Sequence, residues 1–202
     1  MLKLTDHDIS EAITAYQLEP DQRYNNIFSS GSYENMRSAA VIIPLLKIDE
    51  TWHMLLTRRS DTLLEHRGQV AFPGGARDKR DGDLQQTALR EMYEEIGIKP
   101  EDVKILGHLG EIPVITNYLV SLYVGKIPWP YELKLNPDEV NSTFMIPLDW
   151  LAKKEHYTVK NRNFQGKDIP VIYFDLYEGQ QLWGVSAEMT LALLSAIEMV
   201  VN

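Results

Sequence analysis

Cysteine is absent from this chain, and its absence excludes disulfides, thiolate nucleophiles and thiolate metal ligands together. Long apolar runs are also missing: no stretch approaches the ~18 residues of a membrane-spanning helix, and Met1-Leu-Lys-Leu-Thr-Asp-His-Asp8 lacks the apolar core of a secretory leader. The expectation is a cytoplasmic protein with no membrane partner. Positive charge is scarce as well, with 20 Lys and Arg against 29 Asp and Glu for a net charge of −9. A protein that tracks a nucleic-acid backbone needs a basic footprint, so no nucleic-acid partner is expected. Ser60 and Ser186 have no histidine and acid at an interpretable spacing, which argues against a serine hydrolase. There is no internal repeat and no low-complexity segment.

What is present suits one globular unit, since 202 residues at 44% hydrophobic content can bury a substantial core. Residues 1–36 read as an N-terminal helix and arm of that unit, and 37–202 as its main body. Thr5 and Asp8 can cap a helix over 6–16, Glu19-Pro20 ends it, and 21–37 is an aperiodic arm. Ser38–Lys47 is a nearly continuous apolar strand that turns at Asp49-Glu50 into a second strand over 52–57. Pro73-Gly74-Gly75 reads as a turn in which two glycines permit positive φ and close backbone approach to an anion. Further strands are expected at 103–109, 118–127 and 144–147, with a short helix from Leu148. Residues 154–160 and 169–176 form an antiparallel pair around a turn at 161–167, and a final helix over 186–200 is capped by Ser186. Strands and helices interleave irregularly, which predicts an α/β fold with a mixed sheet between helices.

The strongest local signal is a helix over 84–96. Asp83 is its N-cap with Gln86 three residues on, Leu84, Ala88, Met92 and Ile96 make an apolar stripe, and Gly97 suits the left-handed C-terminal position. Glu91, Glu94 and Glu95 fall within a wedge of about 100° on this helix. Such like charges repel unless a cation lies between them, and hard oxygen donors suit Mg²⁺ or Mn²⁺. The ordinary alternative is a solvated acidic face. Seven of the 20 cationic residues (Arg58, Arg59, Arg67, Arg77, Lys79, Arg80 and Arg90) lead into this helix, where they bring positive charge toward a small anionic ligand. A metal beside a glycine turn suggests phosphate chemistry.

Gly75–Ile98, ending in Arg90-Glu-Met-Tyr-Glu-Glu-Ile-Gly-Ile98, resembles the Nudix box, whose pattern is Gly-x5-Glu-x7-Arg-Glu-U-x-Glu-Glu-x-Gly-U with U a bulky aliphatic residue. Here Gly75 to Arg90 spans one position more than the usual box, and Asp81 or Asp78 stands for the first glutamate. Leu55-Leu-Thr-Arg-Arg-Ser60 and His66-Arg-Gly-Gln-Val-Ala-Phe-Pro-Gly-Gly75 are similar to an additional signature of the coenzyme A pyrophosphatase branch, with Leu64 where that branch usually has arginine.

The resemblance implies a Nudix-type α/β/α sandwich and a Mg²⁺- or Mn²⁺-dependent hydrolase of a diphosphate linkage. Coenzyme A or an acyl derivative is the leading substrate, with ADP-ribose or another nucleoside-diphosphate compound as the alternative, and a non-catalytic nucleotide sensor as the rival class. It also implies roles by matched position. Glu91 and Glu95 are metal ligands, Glu94 is a further ligand or the base, Arg90 orients the glutamates, the Gly75 carbonyl completes the coordination, and Glu139 supplies another carboxylate or is simply a solvated loop residue. Arg58, Arg59, Arg67, Gly74 and Gly75 would bind substrate. By family analogy the chain is a homodimer. His53 and His108 read as packed histidines, His66 as one inside the resembling segment, and Trp129, Trp150, Trp183 and Tyr131 as packing residues before adenine platforms.

Overall fold

The computed structural model describes residues 4–16, 32–62, 67–164 and 166–201. The arm expected at 21–37 therefore falls largely outside the described residues, as do Leu64 and His66.

The apolar run after Arg37 forms β1 (Arg37–Ile48), buried along most of its length. It turns at Asp49 and Glu50, both in left-handed conformation, into β2 (Thr51–Arg59). The two strands pair only near the turn, from Leu45 opposite Met54 to Ile48 opposite Thr51. Beyond that point they diverge. The earlier half of β1 instead takes β4 (Gly74–Ala76) alongside it, while β2 pairs with β3 (Val70–Ala71) and β7 (Val140–Pro147). On its other edge β1 runs parallel to β6 (Tyr118–Lys126), which pairs antiparallel with β5 (Lys104–Val114). The result is a mixed sheet with a fork between β1 and β2.

Helices cover both faces of this sheet. On one face α2 (Leu84–Ile96) inserts Ala88, Met92 and Ile96 against Ala40, Ile42, Leu46 and Leu55. On the other, α1 (Asp6–Ala15), the short α3 (Leu148–Leu151) and α4 (Gly184–Val201) share a larger core with Ile43, Leu45, Met54 and Leu56. Removing such side chains from water is the main favourable term in folding, roughly 1.5–3 kcal/mol for each fully buried Leu, Ile or Met. The N-terminal helix belongs to the same core. Thr5 and Asp8 form the expected capping box, Ile9, Ala12 and Ile13 are buried, and the Ser10 hydroxyl donates to the Leu106 carbonyl at 2.8 Å. Asp6 is clamped by Lys104 and Lys126, each at 2.9 Å.

A separate three-stranded sheet carries β8 (Tyr157–Phe164), β9 (Lys167–Tyr177) and β10 (Gln180–Trp183) in the order β10-β9-β8. The antiparallel pair was expected, but the strands run in to Phe164 and out from Lys167, so the connection is much tighter than 161–167. The last helix also starts earlier than expected. It begins at Gly184, which places Ser186 inside the first turn, where its carbonyl accepts from the Thr190 hydroxyl at 2.9 Å, and not at the N-cap. β10 carries only a short apolar pattern and β3 and β4 are too brief to show one, which is why none of the three was predicted.

Candidate active site

The N-terminal end of α2 is built as its sequence dictates. The Asp83 carboxylate accepts the Gln86 N–H at 2.8 Å, and Gly97 adopts φ 76° at the C-terminus. Burying the Ala88, Met92 and Ile96 stripe fixes the rotation of the helix. That rotation turns Glu91 and Glu95 toward β4 and leaves Glu94 toward solvent, with side-chain exposures of 16% for Glu91 and 48% for Glu94, and only 3% for Glu95 as a residue.

Glu91, Glu95 and Glu139 offer carboxylate oxygens that all lie within 4.8 Å of one another. Glu139 comes from the loop before β7, and the main chain sets its place. Lys134 N–H donates to the Ile96 carbonyl at 3.0 Å and Asn136 N–H to the Glu95 carbonyl at 2.9 Å, so the loop caps the last turn of α2. Ser60 N–H then donates to the Glu139 carbonyl at 2.8 Å, and the Asn136 side-chain N–H donates to the Glu139 carboxylate at 3.3 Å. Glu139 is thus half-buried and faces the other two carboxylates.

This cluster is only partly compensated, by Arg90 at Glu91 and by the charge of Arg59 near Glu95. Burial pushes the Glu95 carboxyl up to about 8, reinforced by Glu139 and Glu91 and opposed by Arg59 and the Gly74 backbone hydrogen bond. Burial also raises Glu91. Among the described residues, Glu95 Oε2 is buried with no hydrogen-bond partner, an expensive state for a carboxylate. Three converging hard oxygens, one of them orphaned, fit a divalent cation of the Mg²⁺ or Mn²⁺ type.

A second acidic centre lies a few residues away and is fully paired. Arg90 directs Nε and Nη2 onto the two oxygens of Asp81, both at 2.9 Å, and Nη1 onto Glu91 at 2.8 Å and Glu94 at 2.9 Å. Its Nη2 also reaches the Ala76 carbonyl at 3.2 Å. Asp81 is buried and further accepts from the Thr87 hydroxyl at 2.9 Å and the Asp78 N–H at 2.9 Å. These bonds, Arg90 foremost, hold its carboxyl well below the usual carboxylate range. Asp81, not Asp78, thus occupies the place opposite the arginine, while Asp78 pairs with exposed Arg80 at 2.9 Å.

Gly74 and Gly75 do not form a turn. They lie in β4, Gly75 opposite Ala40 and Gly74 opposite Val41. Their need for glycine is spatial: a Cβ on Gly74 would come within 2.4 Å of the Ala40 carbonyl oxygen, and one on Gly75 within 2.5 Å of the Glu91 carboxyl carbon. Of the expected substrate arginines, Arg58 is tied to Asp61 by two bonds of 2.8 and 3.0 Å. Arg59 lends its charge to Glu95, and Arg67 is exposed. His53 binds the Thr51 carbonyl and His108 packs on Tyr123. Trp150 stacks on His156, Trp183 stacks on Tyr173, and Tyr131 donates to Asp102 at 2.6 Å, so these rings are taken up in packing. Two contributors went unread in the sequence, Thr87 and Asn136. Each is a common polar residue whose role depends on a partner far from it in the chain or on loop backbone geometry.

The model of the NUDIX domain matches residues 36–165. Over 180 residues the chain is 36% identical to a protein of Pectobacterium atrosepticum described as an uncharacterized Nudix hydrolase, NudL, covering 89% of both chains. The NudL of Yersinia enterocolitica is 38% identical over 180 residues, or 89% of this chain and 88% of its own. Among solved structures, a MutT/nudix family protein from Enterococcus faecalis superposes with a TM-score of 0.54 at 16% identity, over 89% of this chain and 68% of that one.

Proposed function

The chain belongs to the NUDIX family, and from that premise we propose that this pyrophosphohydrolase cleaves the diphosphate of coenzyme A or its acyl derivatives, giving 3′,5′-ADP and a 4′-phosphopantetheine species. The observation that carries the hydrolytic site is the meeting of Glu91, Glu95 and Glu139 within 4.8 Å, with one buried oxygen unpaired. The choice of coenzyme A rests on Leu55–Ser60 and His66–Gly75, which resemble the branch signature.

In this reading Glu91, Glu95 and Glu139 hold Mg²⁺ or Mn²⁺, with the Gly75 carbonyl as a further donor. A bound divalent ion supplies positive charge that offsets the diphosphate and acidifies water. The chain's own residues provide position and proton transfer. Arg90 Nη1 spaces Glu91 from Glu94, and its other two donors are anchored on Asp81, so the glutamates sit on a fixed frame. Glu94, exposed beside the cluster, takes the proton from the attacking water as a new P–O bond forms and the bridging P–O bond breaks, its oxygen leaving with the second phosphate. The absence of a Cβ on Gly75 leaves room for the Glu91 carboxylate. Arg59 and Arg67 contribute positive charge toward the substrate phosphates, and Arg58, held by Asp61, supports that edge.

The test is to incubate the purified protein in Mn²⁺ with coenzyme A, ADP-ribose, NADH and a nucleoside triphosphate. Coenzyme A is expected to be the best substrate by kcat/KM. Clear turnover of ADP-ribose with coenzyme A untouched would replace the substrate, a result that Leu64, in place of the signature arginine, would then explain.

A further inference from the structure

Next to the carboxylates but outside them lies a cleft of about 500 Å³ lined by Arg37, Ser38, Ala76, Arg77, Asp78 and Lys79. In a chain of net charge −9 its lining is positive. The Arg37 guanidinium is held 4.6 Å from the centroid of the Tyr118 ring. Arg77 places Nη2 on two neutral acceptors, the Asp81 carbonyl at 3.3 Å and the Gly82 carbonyl at 3.1 Å, so its charge is positioned but not cancelled. Arg37, Arg77 and Lys79 form no ion pair among the described residues. The one acid of the lining, Asp78, is occupied by Arg80 through bonds of 2.9 and 3.3 Å. The Ser38 side chain adds an exposed hydroxyl donor.

Cations left without counter-ions around a concave surface repel one another, and a dianion removes that repulsion. Arginines are the residues best suited to the planar, multidentate recognition of phosphate. The cleft's place in the fold sets how it relates to the hydrolytic site. Ala76 lines the cleft and also gives its carbonyl to Arg90 Nη2, while the residue before it, Gly75, packs on the Glu91 carboxylate. At about 3.3 Å per strand residue, the cleft begins within one or two residues of the carboxylate cluster.

We propose that this cleft receives a phosphate monoester carried by the substrate, separate from the diphosphate being cleaved. The proposal rests on the reading of the carboxylate cluster as the hydrolytic site. Two sources share this chemistry, a 3′-phosphate and a 2′-phosphate on the ribose. The site makes the enzyme selective for substrates with a second phosphate group, and its electrostatic character makes that selectivity weaken with salt.

The test is calorimetric titration in Mn²⁺ at low ionic strength with 3′,5′-ADP, 2′,5′-ADP and 5′-AMP, on the wild type and on the double variant Arg37→Gln/Lys79→Gln. Both side chains are exposed, and circular dichroism checks that the variant is folded. The wild type is expected to bind one of the two doubly phosphorylated ligands about tenfold more tightly than 5′-AMP, and the variant to lose most of that ratio. Preference for 3′,5′-ADP identifies the 3′-phosphate, and preference for 2′,5′-ADP identifies the 2′-phosphate. Equal binding of all three by the wild type, or a ratio unchanged in the variant, overturns the proposal. Coenzyme A hydrolysis is measured separately, so a protein that keeps the ratio but leaves coenzyme A intact refutes the substrate reading while the cleft stands.

Discussion

Asp81 and Glu95 are two buried carboxylates flanking the same face of one helix, and their environments drive them in opposite directions. Asp81 is met by Nε and Nη2 of Arg90, by Thr87 and by a backbone N–H, and stays ionised far into acid. Glu95 meets Glu91 and Glu139, keeps one oxygen unpaired, and is pushed up to about 8. Since both are acidic and both are buried, neither property identifies a metal site. The distinction lies in whether the chain supplies the cation itself. Where it does, the charge is architectural; where it withholds one, an external ion is expected to complete the site.

The sharpest way to test this contrast is Glu95→Gln, which keeps the shape and removes the charge. Its kcat in Mn²⁺ should fall by about a thousandfold, in line with losing a principal metal ligand, with little loss of folding stability. A variant with full activity would sink the assignment. Arg90→Ala should do the reverse in emphasis, leaving Asp81 buried and unpaired at a cost of about 3 kcal/mol in urea unfolding. Adding Asp81→Asn should recover much of that stability without restoring activity, because Glu91 and Glu94 still lack the Nη1 that spaces them. Equal stability of the single and double variants would show that the pairing is not what holds this corner.

The smallest expected effect is a pH dependence. The folded state holds the Glu95 proton more tightly than the unfolded chain, so the metal-free protein is relatively most stable below about pH 4.5 and loses that contribution as pH rises toward 8. The loss should be on the order of 2 kcal/mol once local relaxation offsets part of the burial penalty. Asp81 has the opposite sign, because its lowered carboxyl stabilises the fold above its ordinary value and that contribution disappears in acid. Thermal melts of metal-free protein between pH 5 and 8 should therefore show a falling midpoint that Glu95→Gln flattens and excess Mn²⁺ reverses. A flat wild-type profile would mean that Glu95 is already compensated.

Much of this arrangement is legible in the sequence, for reasons that are local. Helix α2 announces itself through Asp83, the Ala88-Met92-Ile96 stripe and Gly97, and the wedge of glutamates follows from 100° per residue. The same arithmetic cannot say which glutamate is buried, since that depends on how the stripe seats against Ala40, Ile42 and Leu55. Glu94 and Glu95 are neighbours in sequence, yet one is solvent-facing and the other enclosed. Gly74 and Gly75 were visible as glycines, but the demand for them comes from β1 packed against one and Glu91 against the other, which a turn reading misses. Asp78 and Asp81 were indistinguishable until Arg90 chose between them. The fork between β1 and β2 arises wholly from long-range pairing and leaves no periodic trace.

The splice between α2 and the loop at 134–139 has a consequence for how this protein can vary. Most of the bonds that seat Glu139 come from the backbone of Lys134, Asn136 and Ser60, which nearly any residue could provide, and the Asn136 side chain adds one more. Apart from Asn136, the geometry there depends less on residue identity than on length. One residue inserted between Asn136 and Glu139 would turn the third carboxylate aside with every acidic residue still in place, so in this segment the site depends on spacing more than on spelling.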